Sequence, residues 1–247
     1  MKLLDEYFNK VKEILEKIEK TQRGNITKAA EVIVNAIEKG GTIYAFGATH
    51  SGIVADELCF RAGGLAPINA IHPYQTSTLE RPGSNTIKLE KLKGYGTIII
   101  EGIKITGKDV LIINSISGRN TMPVEMAIGA KKNGAKLIVI TNMEYSKNVK
   151  SNHSSGERLF EVGPDVVIDN CGIFGDAIIE IKGMKQKVAP TSGISGCFIA
   201  QAVVVQAVEE LLKRSIEPPI FMSANIDGGI EFNKKILDKY KSSIKYL

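Results

Sequence analysis

Asp109-Val-Leu-Ile-Ile-Asn114-Ser115-Ile-Ser117-Gly118-Arg119-Asn120-Thr121-Met-Pro123 decides how this chain folds. An apolar, β-branched run breaks off into hydroxyls, a glycine and residues suited to capping a helix. Beyond it the apolar spacing turns helical through Val124, Met126, Ala127, Ile128 and Ala130. That pattern reads as a buried strand feeding a small-residue loop onto a helix N-terminus. Such a loop offers free backbone N–H groups, Ser and Thr hydroxyls and the positive end of a helix dipole, which together suit an anion such as phosphate. A plain helix cap accounts for one such residue, but not for four small polar residues behind a core strand.

Toward the N-terminus, Leu3, Leu4, Tyr7, Phe8, Val11, Ile14, Leu15 and Ile18 form a helical stripe. The sequence ends this helix near Arg23-Gly24 and starts a second at Asn25 or Thr27, running to Ile37. Residues 42–46 read as a short strand, Gly47-Ala48-Thr49-His50-Ser51-Gly52 as its loop, 53–62 as a helix and 66–71 as a second strand. A long loop spans 72–85, a helix 86–92, and 97–100 is strand or helix. After the strand at 109–114 come a helix at 121–133, a strand at 136–141, a polar loop at 142–158 and a strand at 165–169. A glycine-rich loop at 170–192, with a short strand near 177–182, leads to a long helix at 194–214. Glu217-Pro218-Pro219 breaks it, and a charged helix at 227–240 follows.

Short buried strands alternating with helices predict an α/β fold, a three-layer αβα sandwich on a five-stranded parallel sheet. Right-handed crossovers favour the flavodoxin-like strand order 2-1-3-4-5. In that order the chain reverses between strands 1 and 3, and ligands bind at the carboxyl ends beside such a switch point. The two loops there, 47–51 and 114–120, are the hydroxyl- and glycine-rich ones.

Other function classes find little support. The net charge of +5 comes from scattered lysines without aromatic interleaving, so no nucleic-acid partner is expected. Cys59, Cys171 and Cys197 show no CxxC or Cys/His spacing, which points to reduced thiols in a cytoplasmic protein and to no metal site. The apolar stretch at 197–208 is too short to span a bilayer, so no membrane partner is expected. The 47–52 loop is not G-x-G-x-x-G. Gly102-Ile-Lys-Ile-Thr-Gly107-Lys108-Asp109 ends in Asp and precedes its strand, so it is a turn and not a P-loop. No nucleotide or other cofactor is implied.

The loop Ser115-x-Ser117-Gly118-x-Asn120, followed by Ala130-Lys-Lys-Asn-Gly134-Ala135-Lys-Leu-Ile-Val-Ile-Thr141, resembles the SIS (sugar isomerase) domain family, and Phe46-Gly47-Ala48-Thr49-His50-Ser51 is similar to its first phosphosugar-binding segment. Within that family the chain looks most like the UPF0309 branch, through Phe60-Arg61-Ala62-Gly63-Gly64, His153-Ser154-Ser155-Gly156, Asp169-Asn170-Cys171-Gly172 and Glu217-Pro218-Pro219. The resemblance implies one SIS domain over 1–247, with a helical extension at about 1–40 and a helical tail at about 215–247. It implies a phosphorylated sugar as ligand, held by Thr49, Ser51, Ser115, Ser117, Gly118, Arg119 and Asn120. Thr191 and Ser192, before the long helix, would line the sugar pocket. It also implies a homodimer or higher homo-oligomer with the site near the interface.

The chemistry at the other end of the sugar is open. Family isomerases and etherases carry a glutamate about ten residues after the loop serine, where this chain has Arg61. Glu57 lies one turn earlier and either serves from there or pairs with Arg61 as an i,i+4 ion pair. Isomerisation needs a base for the C–H proton and an acid at the neighbouring oxygen. The candidates are Glu57, His50, His153 and Asp176; Asp176 also suits a turn between glycine neighbours. The expected activity is aldose–ketose isomerisation of a sugar phosphate. A lyase or etherase of the same fold, or a non-catalytic phosphosugar sensor, are the alternatives.

Overall fold

The structure, a computed structural model, describes residues 2–246. Its first element is a single helix, α1 (Lys2–Glu38), where the sequence suggests two. Gly24 does not stop it. Ile18, Ile26, Ala29, Ala30 and Ile33 share one buried face, and that burial outweighs the roughly 1 kcal/mol cost of an internal glycine. Gln22 adds a tie, its Oε1 accepting from the backbone N–H of Asp169 at 3.1 Å.

The main sheet is parallel, in the order expected. β1 (Ile43–Phe46) pairs with β2 (Ile68–Ile71) on one side and β3 (Val110–Asn114) on the other, followed by β4 (Lys136–Thr141) and β5 (Val166–Asp169). Alternate residues face opposite sides. Ile43, Ala45, Val110, Ile112, Ile138 and Ile140 pack under α1, α2 (Ile53–Leu58) and α7 (Ser192–Lys213). Tyr44, Phe46, Leu111, Ile113, Leu137 and Val139 pack under α4 (Tyr95–Ile103) and α5 (Thr121–Lys132). This gives the three layers, with β3 buried along its whole length.

Several boundaries differ from the sequence reading. α2 stops at Leu58, where Cys59 turns to extended backbone and Phe60 to a left-handed φ of 42°. The ambiguous 97–100 run is helical, within α4. A short helix, α3 (Ser84–Leu89), precedes it. The polar loop after β4 holds another, α6 (Met143–Lys147), capped by Asn142 Oδ1 accepting from Tyr145 N. Residues 177–190 form a small hairpin of β6 (Ala177–Ile179) and β7 (Val188–Pro190). α7 is 22 residues long and, by length and composition, apolar enough to cross a membrane, so the shorter apolar stretch at 197–208 understates it. Its Ile199, Ala200, Val203, Val204, Ala207 and Leu211 lie in the core against the sheet and α1. The last helix, α8 (Gly229–Lys239), packs Ile236 with Ala66 and Phe221.

Candidate functional site

The loops after β1 and β3 meet at the carboxyl end of the sheet. Asn114, the last residue of β3, donates its side-chain amide to the carbonyl of Ser51 at 3.0 Å and so ties the two loops together. Gly47 is required where the first loop folds back, since a Cβ there would lie 2.2 Å from Ser51 O. Thr49 is held at a left-handed φ of 51°. For a non-glycine residue that costs about 1–2 kcal/mol, and such strain gathers at functional sites.

The second loop is fixed from behind. Thr141 Oγ1 donates to the carbonyls of Ser115 (2.7 Å) and Ile116 (3.0 Å), and Leu159 N donates to Gly118 O (2.8 Å). Gly118 is left-handed at φ 58°, and a Cβ there would meet Ser146 Oγ at 2.8 Å. Among the described residues no backbone carbonyl accepts from the N–H groups of Ser117, Gly118, Arg119 or Asn120.

Between the loops lies a cleft of about 190 Å³, lined by Thr49, Ser51, Ser115, Ser117, Asn120 and Asp176 from the sequence-derived set, and by Glu90 and Tyr145 in addition. It continues past Glu90, Ser117, Asn120 and Tyr145 into an outer basin of about 340 Å³, where Arg119, Lys91 and Asn152 stand.

Asn120 sits at the N-cap position of α5 but does not cap it. Its Nδ2 donates to Glu90 Oε2 at 2.5 Å, and its Oδ1 accepts from Asn152 Nδ2 at 2.9 Å. Glu90 arrives from the turn between α3 and α4, which is clamped onto α5. Met122 N donates to Glu90 O (3.0 Å), and the buried Glu125 carboxylate accepts from Gly94 N (2.7 Å) and Gly96 N (3.0 Å). Burial pushes the Glu90 carboxyl above the ordinary range, against the opposing effects of the Asn120 amide, the Lys91 charge and Thr49.

Asp176 reaches the cleft but is already engaged. Its Oδ1 accepts from Thr191 N (3.0 Å) and Ser192 N (2.8 Å), and its Oδ2 from Ser192 Oγ (2.6 Å). The protein's own carboxylate thus occupies the N-terminus of α7, and Thr191 and Ser192 serve that bond. Neither is among the residues lining the cleft.

The remaining candidates stand apart from the cleft. Glu57 pairs with Arg61 and accepts from Gln201 Nε2 of α7 at 2.9 Å. His50 is exposed on a short 3-10 turn, and His153 Nδ1 bonds to Ser155 Oγ at 2.8 Å within its own loop. Among the described residues no three His, Cys, Asp or Glu side chains gather as a metal-ligand set.

The family model for the SIS domain matches residues 6–142. A UPF0309 protein from Shouchella clausii is 43% identical over 247 residues, covering the whole of both chains. Another, from Oceanobacillus iheyensis, is 42% identical over 247 residues, again over both whole chains. A phosphoheptose isomerase from Francisella tularensis shares the fold with a TM-score of 0.55 at 15% identity, over 83% of this chain and 96% of that one.

Proposed function

The chain belongs to the SIS domain family and, within it, to the UPF0309 proteins, and from that premise we propose that it binds a phosphorylated sugar in the cleft and isomerises it by proton transfer. One observation carries this reading. The two hydroxyl loops and a carboxyl group with a raised pKa open onto the same cleft. Thr49, Ser51, Ser115 and Ser117, with the free N–H groups of the second loop, hold the phosphate, each hydrogen bond to the ionised group contributing about 1.5–3 kcal/mol. Glu90 takes the C–H proton from the hydroxyl-bearing carbon beside the sugar carbonyl and returns it to the carbonyl carbon, while the hydroxyl proton passes across the cis-enediol to the former carbonyl oxygen. A carboxyl raised toward neutrality suits both halves of that exchange.

In this reading Asp176 orders the start of α7, and Glu57, with Arg61 and Gln201, braces α2 against α7. His153 keeps its loop in shape through its bond to Ser155. The protein acts in the cytoplasm as a homodimer. Exposed apolar side chains on α1 and α7, among them Phe8 (49% exposed), Val205 (69%) and Leu212 (60%), support a partner there.

The test is calorimetric titration with hexose, hexosamine and heptose phosphates, together with deuterium exchange from solvent into their carbon-bound positions. Ser117→Ala is expected to weaken binding by roughly 1–3 kcal/mol. Unchanged affinity would remove the phosphate role from this loop. Binding without exchange would make the protein a sensor.

A further inference from the structure

We propose that the ligand carries a second anionic group, a carboxylate or a phosphoryl, and that the outer basin takes it between Lys91 and Arg119. This rests on the phosphosugar reading of the inner cleft and extends it to a class of substrate. Size comes first. The inner cleft, at about 190 Å³, falls short of the roughly 300–1,000 Å³ usual for small-molecule sites. It reaches that range only together with the outer basin of about 340 Å³, with which it shares Glu90, Ser117, Asn120 and Tyr145. A ligand that fills the site therefore passes Glu90 and enters the outer basin.

Charge comes second. The inner cleft presents hydroxyls and two carboxylates but no cation. The outer basin presents two cations, Lys91 and Arg119, against Glu90 alone. Neither cation forms an ion pair among the described residues. Arg119 is already held in place, its Nη2 donating to Asn152 Oδ1 at 3.1 Å, while its Nε is buried with no acceptor. A buried guanidinium N–H without a partner is costly, and an incoming carboxylate or phosphoryl oxygen would satisfy it. The same group would neutralise Lys91, which otherwise favours the ionised form of Glu90.

The experiment is calorimetric titration of the full chain with fructose 6-phosphate, fructose 1,6-bisphosphate and 6-phosphogluconate. The two doubly anionic sugars are expected to bind about tenfold more tightly than the monophosphate, as one added charge-assisted hydrogen bond implies. The preferred one of the pair identifies the second group. In a Lys91→Met variant, with its folding checked by thermal unfolding, that advantage shrinks while fructose 6-phosphate binds as before. Ser117→Ala weakens all three. Equal affinities in the unaltered protein would overturn the inference. So would an undiminished advantage in the Lys91→Met variant, or its loss of fructose 6-phosphate binding, because the latter would put the single phosphate in the outer basin. Failure of all three sugars to bind would overturn the reading of the inner cleft, and this inference with it.

Discussion

The side-chain amide of Asn120 donates to the Glu90 carboxylate at 2.5 Å, joining the loop after β3 to a residue delivered from between α3 and α4. The bond fixes one carboxylate oxygen of a residue that lines the cleft. A base that must meet a single carbon atom gains from being positioned in this way. Glu90→Gln keeps an acceptor for Asn120 and removes the base. Solvent deuterium exchange into the bound sugar phosphate should fall about 10²–10⁴-fold, with affinity little changed. Exchange at the original rate would take the proton-transfer role from Glu90.

The same carboxyl should leave a signature in stability. Burial raises its pKa in the folded state above the value of roughly 4.3 expected unfolded. Between those two values the folded protein holds the proton more tightly than the unfolded chain, so this group makes stability fall as pH rises through the window. Glu90→Gln cannot ionise and lacks that fall. Urea unfolding from acid to neutral pH should show the variant gaining on the unaltered protein as pH rises, and parallel curves would refute the assignment.

The order of the sheet is legible in the sequence because short apolar runs alternate with helices, and right-handed crossovers leave few parallel orders, of which 2-1-3-4-5 brings the two hydroxyl loops together. Ser115, Ser117, Thr49 and Ser51 are legible for the same reason: they follow strands directly. Glu90 is not. It lies in a stretch of weak periodicity, far in sequence from either loop, and only the clamp by Glu125 and Met122 carries it to the cleft. Tyr145 hides in a polar loop whose helix is a single short turn capped by Asn142. Asp176 can be read as a turn former or as an acid, and the hydrogen bonds it accepts at the start of α7 depend on the hairpin of β6 and β7.

Continuity of α1 through Gly24 gives an independent check on the fold. The residue is exposed and a Cβ there meets nothing within 4 Å. Gly24→Ala should therefore raise stability by about 0.5–1 kcal/mol in chemical denaturation. A loss of stability would place a break where the sequence suggests one.

Asp176→Ala separates support from chemistry. Removing the carboxylate strips Thr191 N, Ser192 N and Ser192 Oγ of their acceptor, which should cost about 1–2 kcal/mol of stability. Exchange activity, measured well below the melting temperature, should fall far less than in Glu90→Gln. Full stability with abolished exchange would make Asp176 the proton-transfer group instead.

Everything proposed for this site depends on a phosphosugar sitting between the loops after β1 and β3. A crystal soaked in mixed hexose, hexosamine and heptose phosphates tests it most directly. The expected density is a phosphate bonded to Ser115, Ser117 and the N–H groups after Ser117, with the sugar reaching the Glu90 carboxylate. A sugar phosphate bound elsewhere on the protein, with this cleft left to solvent, would contradict it.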